Sequence, residues 1–256
     1  MDLGIAGRVA LVAGASSGLG RATARALAAE GCALSVGARN PERLAEAADE
    51  LRAAGAPDVL ARPVDITDEQ GVAGWVADTV AHFGALHIVV ANGGEVPGGP
   101  VDSFGLDAYR QALDAAFLPH VGLTLAALPH LRAAGWGRVL IVASETVRQP
   151  IPEYGLSAAA RPGLLGFTRA LVQALGPGDI TVNVLAPGYH DTEGVRADYG
   201  SAADARLAEI GAGIPLGRVG RAGDFGAVAA FLASEAASFI TGTCLLVDGG
   251  RTRGLG

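Results

Sequence analysis

Short, continuously apolar runs alternate along the chain with longer stretches in which apolar residues recur at helical spacing. The short runs lie at 9–13, 33–38, 59–64, 86–91, 139–143, 180–185 and 244–247. Continuous apolarity over four to eight residues is the pattern of strands buried on both faces. Helical patterns occupy 21–30, stopped by Gly31, and 41–54, where Asn40 and Pro41 start the helix and Gly55 ends it. A third follows Asp65-Ile66-Thr67-Asp68-Glu69, with Thr67 as its N-cap, and ends near Phe83-Gly84. A long one fills 107–134, another 157–175, and the last 224–234; residues 187–222 are less regular, with one short helix at 202–211. Strands alternating with helices throughout predict a single α/β domain over 1–256. It is a doubly wound, mostly parallel sheet of about seven strands with helices on both faces.

The stretch Val9-Ala-Leu-Val-Ala-Gly-Ala-Ser-Ser-Gly-Leu-Gly20 joins a buried strand, a Gly-rich turn and the start of an Ala-rich helix. That junction offers unpaired backbone N–H groups and a positive dipole end to a phosphate, the arrangement of a Rossmann-like dinucleotide site. In such sheets ligands sit beyond the carboxyl ends of the strands. Gly14, Arg39, Asp65, Asn92 and Ser144 each directly follow a predicted strand end.

Composition narrows the partners. With 50% apolar and 18% charged residues the chain suits a well-buried core, and a net charge of −7 argues against nucleic acid and anionic membranes. Cys32 and Cys244 form neither a disulfide framework nor a metal-ligand spacing, which points to a reducing compartment. The five histidines, His82, His87, His120, His130 and His190, show no metal-site spacing either. No leader-like N-terminus and no 18-residue apolar run are evident, so a cytoplasmic protein is expected.

Over essentially its full length the chain resembles the short-chain dehydrogenase/reductase family. The phosphate-binding turn matches Ala13-Gly14-Ala15-Ser16-Ser17-Gly18-Leu19-Gly20, and the family's Asp after the third strand matches Asp65. Asn92-Gly93-Gly94 stands for Asn-Ala-Gly, Pro187-Gly188-Tyr189-His190-Asp191-Thr192 for Pro-Gly-x-x-x-Thr, and Asp248-Gly249-Gly250 for the closing Asp-Gly-Gly. The resemblance implies a nicotinamide cofactor held by Gly14, Ser16, Ser17, Gly18, Leu19, Gly20, Asp65, Ile66, Asn92, Gly93, Gly94, Arg161, Pro187, Gly188 and Thr192. It also implies that 187–222 covers a small-molecule substrate and that the protein is a homodimer or homotetramer. Its helix contact would involve Ala116 and the apolar face around Leu123 to Leu131, which fit a core face equally well. At the end of the second strand Gly37-Ala38-Arg39-Asn40 carries no acid for a ribose 2′-hydroxyl. It carries instead a guanidinium suited to a 2′-phosphate, so NADP(H) is favoured over NAD(H).

The catalytic positions depart from the family. Tyr154 is followed four residues later by Ala158, not Lys. Counting back from Gly166-Phe167-Thr168-Arg169 and Asn183 puts Ser157 at the Tyr position and Arg161 at the Lys position. Ser144, thirteen residues before Ser157, keeps the family's Ser, and Ala116 stands at its Asn. Ser157 and Arg161 donate hydrogen bonds but do not supply a titrating acid near neutrality. Two alternatives for the proton remain. Tyr154 serves as acid, or walls the pocket while a quinone-like acceptor needs only the hydrogen bonds of Ser144 and Ser157 and the field of Arg161. His190 is either a substitute donor or an exposed loop histidine, and Glu145 a surface acid. The expectation is an NADP(H)-dependent oxidoreductase acting on a carbonyl or quinone-like small molecule; the alternative is an NADP-binding protein without redox turnover.

Overall fold

The computed structural model describes residues 2–254. In chain order the elements are β1 (Val9–Ala13), α1 (Gly18–Ala29), β2 (Ala33–Ala38), α2 (Pro41–Ala53), β3 (Val59–Pro63), α3 (Glu69–Phe83) and β4 (Ile88–Ala91). There follow α4 (Leu106–Ala116), α5 (Leu118–Ala134), β5 (Trp136–Val142), α6 (Gly155–Ala160), α7 (Gly163–Leu175) and β6 (Asp179–Pro187). The chain closes with β7 (His190–Asp191), α8 (Glu193–Tyr199), α9 (Ala203–Ala212), β8 (Gly220–Arg221), α10 (Ala222–Leu232) and β9 (Cys244–Val247).

Seven strands form one parallel sheet in the order β3-β2-β1-β4-β5-β6-β9. Every residue of β1 and β5 is buried, which is why these runs lack polar alternation. Leu27, Leu34, Leu44 and Phe225 fill one layer, under α1, α2 and α10. Trp75, Leu123, Leu131 and Leu164 fill the other, under α3, α5 and α7. The one polar side chain inside β2, Ser35, is satisfied by Thr79 Oγ1 at 2.7 Å and by the Trp75 indole N–H at 2.8 Å. The chain order reverses between β1 and β4, leaving a crevice at their carboxyl ends.

Local expectations need five corrections. Asp68, not Thr67, caps α3, accepting from the Gln70 N–H, while Thr67 donates through its N–H and hydroxyl to Asp65 Oδ1. The helix expected at 107–134 is two helices, broken at Phe117 (φ −121°, ψ −61°). Pro119 has no N–H to give the Ala115 carbonyl and its ring crowds that carbonyl, so the first helix ends and the second restarts with Pro in its first turn. The stretch Leu106–Ala134 is long and apolar enough by composition to pass for a membrane span, contrary to the reading that no such run exists. Its α5 half nonetheless buries Leu123, Ala127 and Leu131 in the core. Finally, the helix expected at 157–175 divides at Arg161–Pro162, and 187–222 contains α8 and the β7–β8 pair besides α9.

Ala116, Leu123 and Leu131 are fully buried, so the face assigned to a subunit contact belongs to the core. The exposed leucines of these helices are Leu106, Leu113, Leu118 and Leu125 instead.

Candidate active site

A cleft of about 1080 Å³ opens at the carboxyl edge of the sheet. At one end lie the turn after β1 and the first turn of α1, which no side chain caps, leaving its backbone N–H groups available to an anion. Gly14 (φ 64°) and Gly18 (φ 55°) take left-handed conformations there. Gly20 does not line the cleft, contrary to its assignment as a contact residue: a Cβ on it would lie 2.2 Å from the Gly14 carbonyl oxygen and 2.6 Å from Asn92 Nδ2. Its role is to let α1 close on the strand ends. Asn92 ties those ends together, donating from Nδ2 to the Ala13 carbonyl at 3.1 Å.

Ser16, Ser17, Leu19, Arg39, Asp65, Ile66, Gly93, Gly94, Pro187, Gly188 and Thr192 all line the same cleft. The backbone N–H of Thr67, with help from its hydroxyl and from the charge of Arg39, holds the Asp65 carboxyl below the usual range. Arg43, overlooked in the sequence, stands on α2 one turn beyond Arg39 and also faces the cleft. Glu193 on α8 pairs with Arg43 and, at 3.0 Å, with Arg21 of α1. The segment after β6 is thereby strapped across the cleft, and Thr192 caps α8 by accepting from the Val195 N–H at 3.3 Å.

The chemically active end gathers Ser144, Tyr154, Ser157 and Arg161. Ser144 Oγ accepts from the Thr146 N–H at 3.2 Å, which leaves its own hydroxyl hydrogen free to point into the cleft. Ser157 Oγ shares a 2.9 Å hydrogen bond with Thr146 Oγ1, a partner not evident from the sequence. Arg161 is buried and donates from one Nη to the Gly94 carbonyl at 2.5 Å. Burial lowers its pKa to about 10, partly offset by Glu95, so it stays cationic at neutral pH. Gly94 approaches so closely that a Cβ would sit 2.2 Å from the Ala115 carbonyl. His120 is buried near the Arg161 charge, and neither of its ring nitrogens has a hydrogen-bond partner among the described residues; burial, then the Arg161 charge, depress it to about 3.

Tyr154 is the N-cap of α6 rather than a helical residue (φ −126°, ψ 45°), and its hydroxyl meets that of Tyr189 at 2.7 Å. Burial, and then this bond, push the Tyr189 phenol up. His190 is neither exposed nor free. Its ring is buried edge-on against Phe225, Nδ1 lies 3.0 Å from the Gly188 carbonyl, and burial lowers its pKa. A neutral ring donating from Nδ1 has only an acceptor at Nε2, so it offers the cleft no proton. Glu145 is not a surface acid either: it is buried, pairs with Arg251, and burial raises its pKa. The chain contains no lysine anywhere, so all 19 basic residues are arginines and no ammonium can depress a tyrosine here.

The chain is similar over its length to known reductases and dehydrogenases. The family profile described as enoyl-(acyl carrier protein) reductase matches residues 14–252. The cis-4-hydroxycyclohexanecarboxylate dehydrogenase of Sinomonas cyclohexanicum is 38% identical over 260 aligned positions, covering 98% of this chain and 99% of that protein. A 3-oxoacyl-(acyl carrier protein) reductase of Pseudomonas aeruginosa is 33% identical, covering 97% of this chain and 98% of its own. Among solved structures, L-sorbose reductase from Gluconobacter frateurii, complexed with NADPH and L-sorbose, superposes with a TM-score of 0.92 at 28% identity. That match covers 100% of both chains.

Proposed function

The chain belongs to the short-chain dehydrogenase/reductase family of oxidoreductases, and from that premise we propose that it is an NADPH-dependent reductase of a carbonyl or quinone-like small molecule, working without the family's Tyr–Lys proton donor. The observation that carries this reading is the group formed by Ser144, Ser157 and buried Arg161 on one wall of a cleft whose other end fits a dinucleotide. The fit rests on the uncapped first turn of α1, the close packing at Gly20, and the two guanidiniums of Arg39 and Arg43. The L-sorbose reductase is described with NADPH bound, and Arg39 supplies the fork that a 2′-phosphate takes. When bound, the nicotinamide cofactor supplies the hydride.

The remaining work falls to this chain's side chains. Ser144 and Ser157 donate hydrogen bonds to the carbonyl oxygen, and Thr146 holds both hydroxyls in place. Arg161, fixed to Gly94 and poorly solvated, stabilises the negative charge that develops on that oxygen, as oxyanion sites do. No group within this set titrates near neutrality, so the final proton comes from solvent. Such a site favours acceptors whose reduced anion is already stabilised, such as quinones and conjugated enones, over simple ketones. Tyr154 and Tyr189 form the pocket wall, and the strapped segment after β6 covers the substrate. The exposed leucines of α4 and α5 support a homo-oligomer.

The test is NADPH oxidation against a panel of quinones, enones and simple ketones, with Tyr154→Phe alongside. Faster turnover of the quinone-like members, unchanged in Tyr154→Phe, is expected. Equal turnover of unactivated ketones, or loss of turnover in Tyr154→Phe, overturns the acid-poor site. NADPH binding without oxidation by any acceptor would make the chain a cofactor-binding protein without redox turnover.

A further inference from the structure

We propose that a second cavity, on the far side of the Tyr154–Tyr189 pair, holds a carboxylate of the substrate, so that this chain acts on carbonyl compounds bearing an acidic group. This deepens, and rests on, the carbonyl-reducing reading of the inner cleft. The chamber measures about 650 Å³, and both tyrosines line it as well as the inner cleft. A molecule reaching past the tyrosine wall therefore has its carbonyl at Ser144 and Ser157 and its far end in the chamber.

Three guanidiniums converge on that space from separate parts of the chain: Arg206 on α9, and Arg251 and Arg253 on the segment after β9. They gather in a protein whose net charge is −7, beside Glu153 and Glu209, with Glu145 behind Arg251. Arg206 is committed to Glu209 at 2.5 Å. Arg251 is backed by buried Glu145 and lies over the Tyr189 ring, 4.9 Å from its centroid, which fixes its position at the tyrosine wall. Arg253 is anchored only through its backbone, whose N–H donates to Gln149 Oε1 at 2.7 Å; its guanidinium pairs with no carboxylate among the described residues.

A planar guanidinium fork matches a carboxylate in two parallel hydrogen bonds. A single guanidinium without a carboxylate partner, that of Arg253, suits a monoanion rather than a dianionic phosphate. Arg251 pairs with Glu145, the residue next to Ser144, which joins the anion chamber to the reacting end, so a bound carboxylate also sets the distance at which the carbonyl is presented.

Calorimetric titration of the NADPH-saturated full chain with benzoate and with benzamide, which match in shape and differ in charge, tests the assignment. Benzoate is expected to bind at least tenfold more tightly. Arg253→Ala, on an exposed anchor whose loss leaves the core intact, and Arg251→Met are each expected to bring benzoate within about threefold of benzamide, with NADPH and benzamide affinities unchanged. Equal binding of the two probes to the native chain, or no response to either substitution, overturns the proposal. Tighter binding of phenyl phosphate than of benzoate overturns the carboxylate class. No hydride transfer is read, so a chain that oxidises no NADPH yet keeps the benzoate preference overturns the redox reading and leaves the chamber assignment standing.

Discussion

At the scale of single residues, function turns on which donors remain when titrating groups are removed. The proposed cofactor preference rests on Arg39, and a charged hydrogen bond contributes about 1.5–3 kcal/mol. Arg39→Ala is therefore expected to raise the KM for NADPH roughly tenfold to a hundredfold while leaving that for NADH nearly unchanged, measured in parallel titrations. Ser157 is tied to Thr146, and the role proposed for it is at the carbonyl oxygen rather than the cofactor. Ser157→Ala should lower kcat about a hundredfold, the usual loss of one oxyanion donor, with the KM for NADPH unmoved. A kcat that does not change would remove Ser157 from the reacting end. The register that places Ser157 and Arg161 could be counted from sequence because neighbouring motifs fix it without a gap. Thr146, Tyr189 and Arg43 could not be assigned so, since nothing in local spacing reveals a contact made across the cleft.

At the scale of elements, the site depends on how closely helices approach strand ends. The Cβ that alanine would place at Gly20 meets backbone atoms, which cannot swing aside as a flexible side chain would. Gly20→Ala is expected to cost about 1–3 kcal/mol, the usual range for overpacking. At this size that lowers Tm by roughly 2–12 °C, with NADPH affinity falling alongside. Thermal melts with and without cofactor check both effects. The breaks at Phe117 and at Arg161–Pro162 have visible causes, the prolines at 119 and 162. Hydrophobic periodicity runs through such breaks because both halves bury apolar faces, α4 and α6 against each other and α5 and α7 against the sheet, so it predicts one helix where backbone geometry makes two. The α8 helix escaped the pattern for the opposite reason. None of its residues is buried, and its ion pairs to α1 and α2, not an apolar face, fix its place.

For the molecule as a whole, buried histidines set the acid limb of stability. His120 titrates near 3 in the folded protein and near 6.5 when unfolded. The unfolded state thus binds more protons below about pH 6.5, and stability present above that value is lost as pH falls toward the folded value. Between pH 6.5 and 5 the loss is about 2 kcal/mol from His120. His87 and His190, both depressed by burial, act in the same direction. Melting curves across this window should show Tm falling with pH, and His120→Leu should flatten the slope. Light scattering after size exclusion is expected to give a dimer or tetramer, and Leu113→Glu with Leu125→Glu to shift it toward monomer. A native monomer would leave those exposed leucines without the role assigned to them.

The sequence by itself determined the order of strands and helices, the doubly wound parallel sheet and the loop behind each strand end, because buried strands and glycine turns are written locally in composition. It also carries the register on which the proposed change of three catalytic positions rests. Only the tertiary structure decided which polar groups meet: Ser157 with Thr146, Tyr154 with Tyr189, Glu145 with Arg251, and Glu193 with Arg21 and Arg43. It alone moved His190 and Glu145 from the surface into buried pairings and Gly20 from the cleft wall into the packing beneath it. The physical reason is range. Backbone conformation and the burial of continuously apolar strands follow from neighbours along the chain, whereas a polar side chain's burial and partners depend on groups 11 to 172 positions away in the chain.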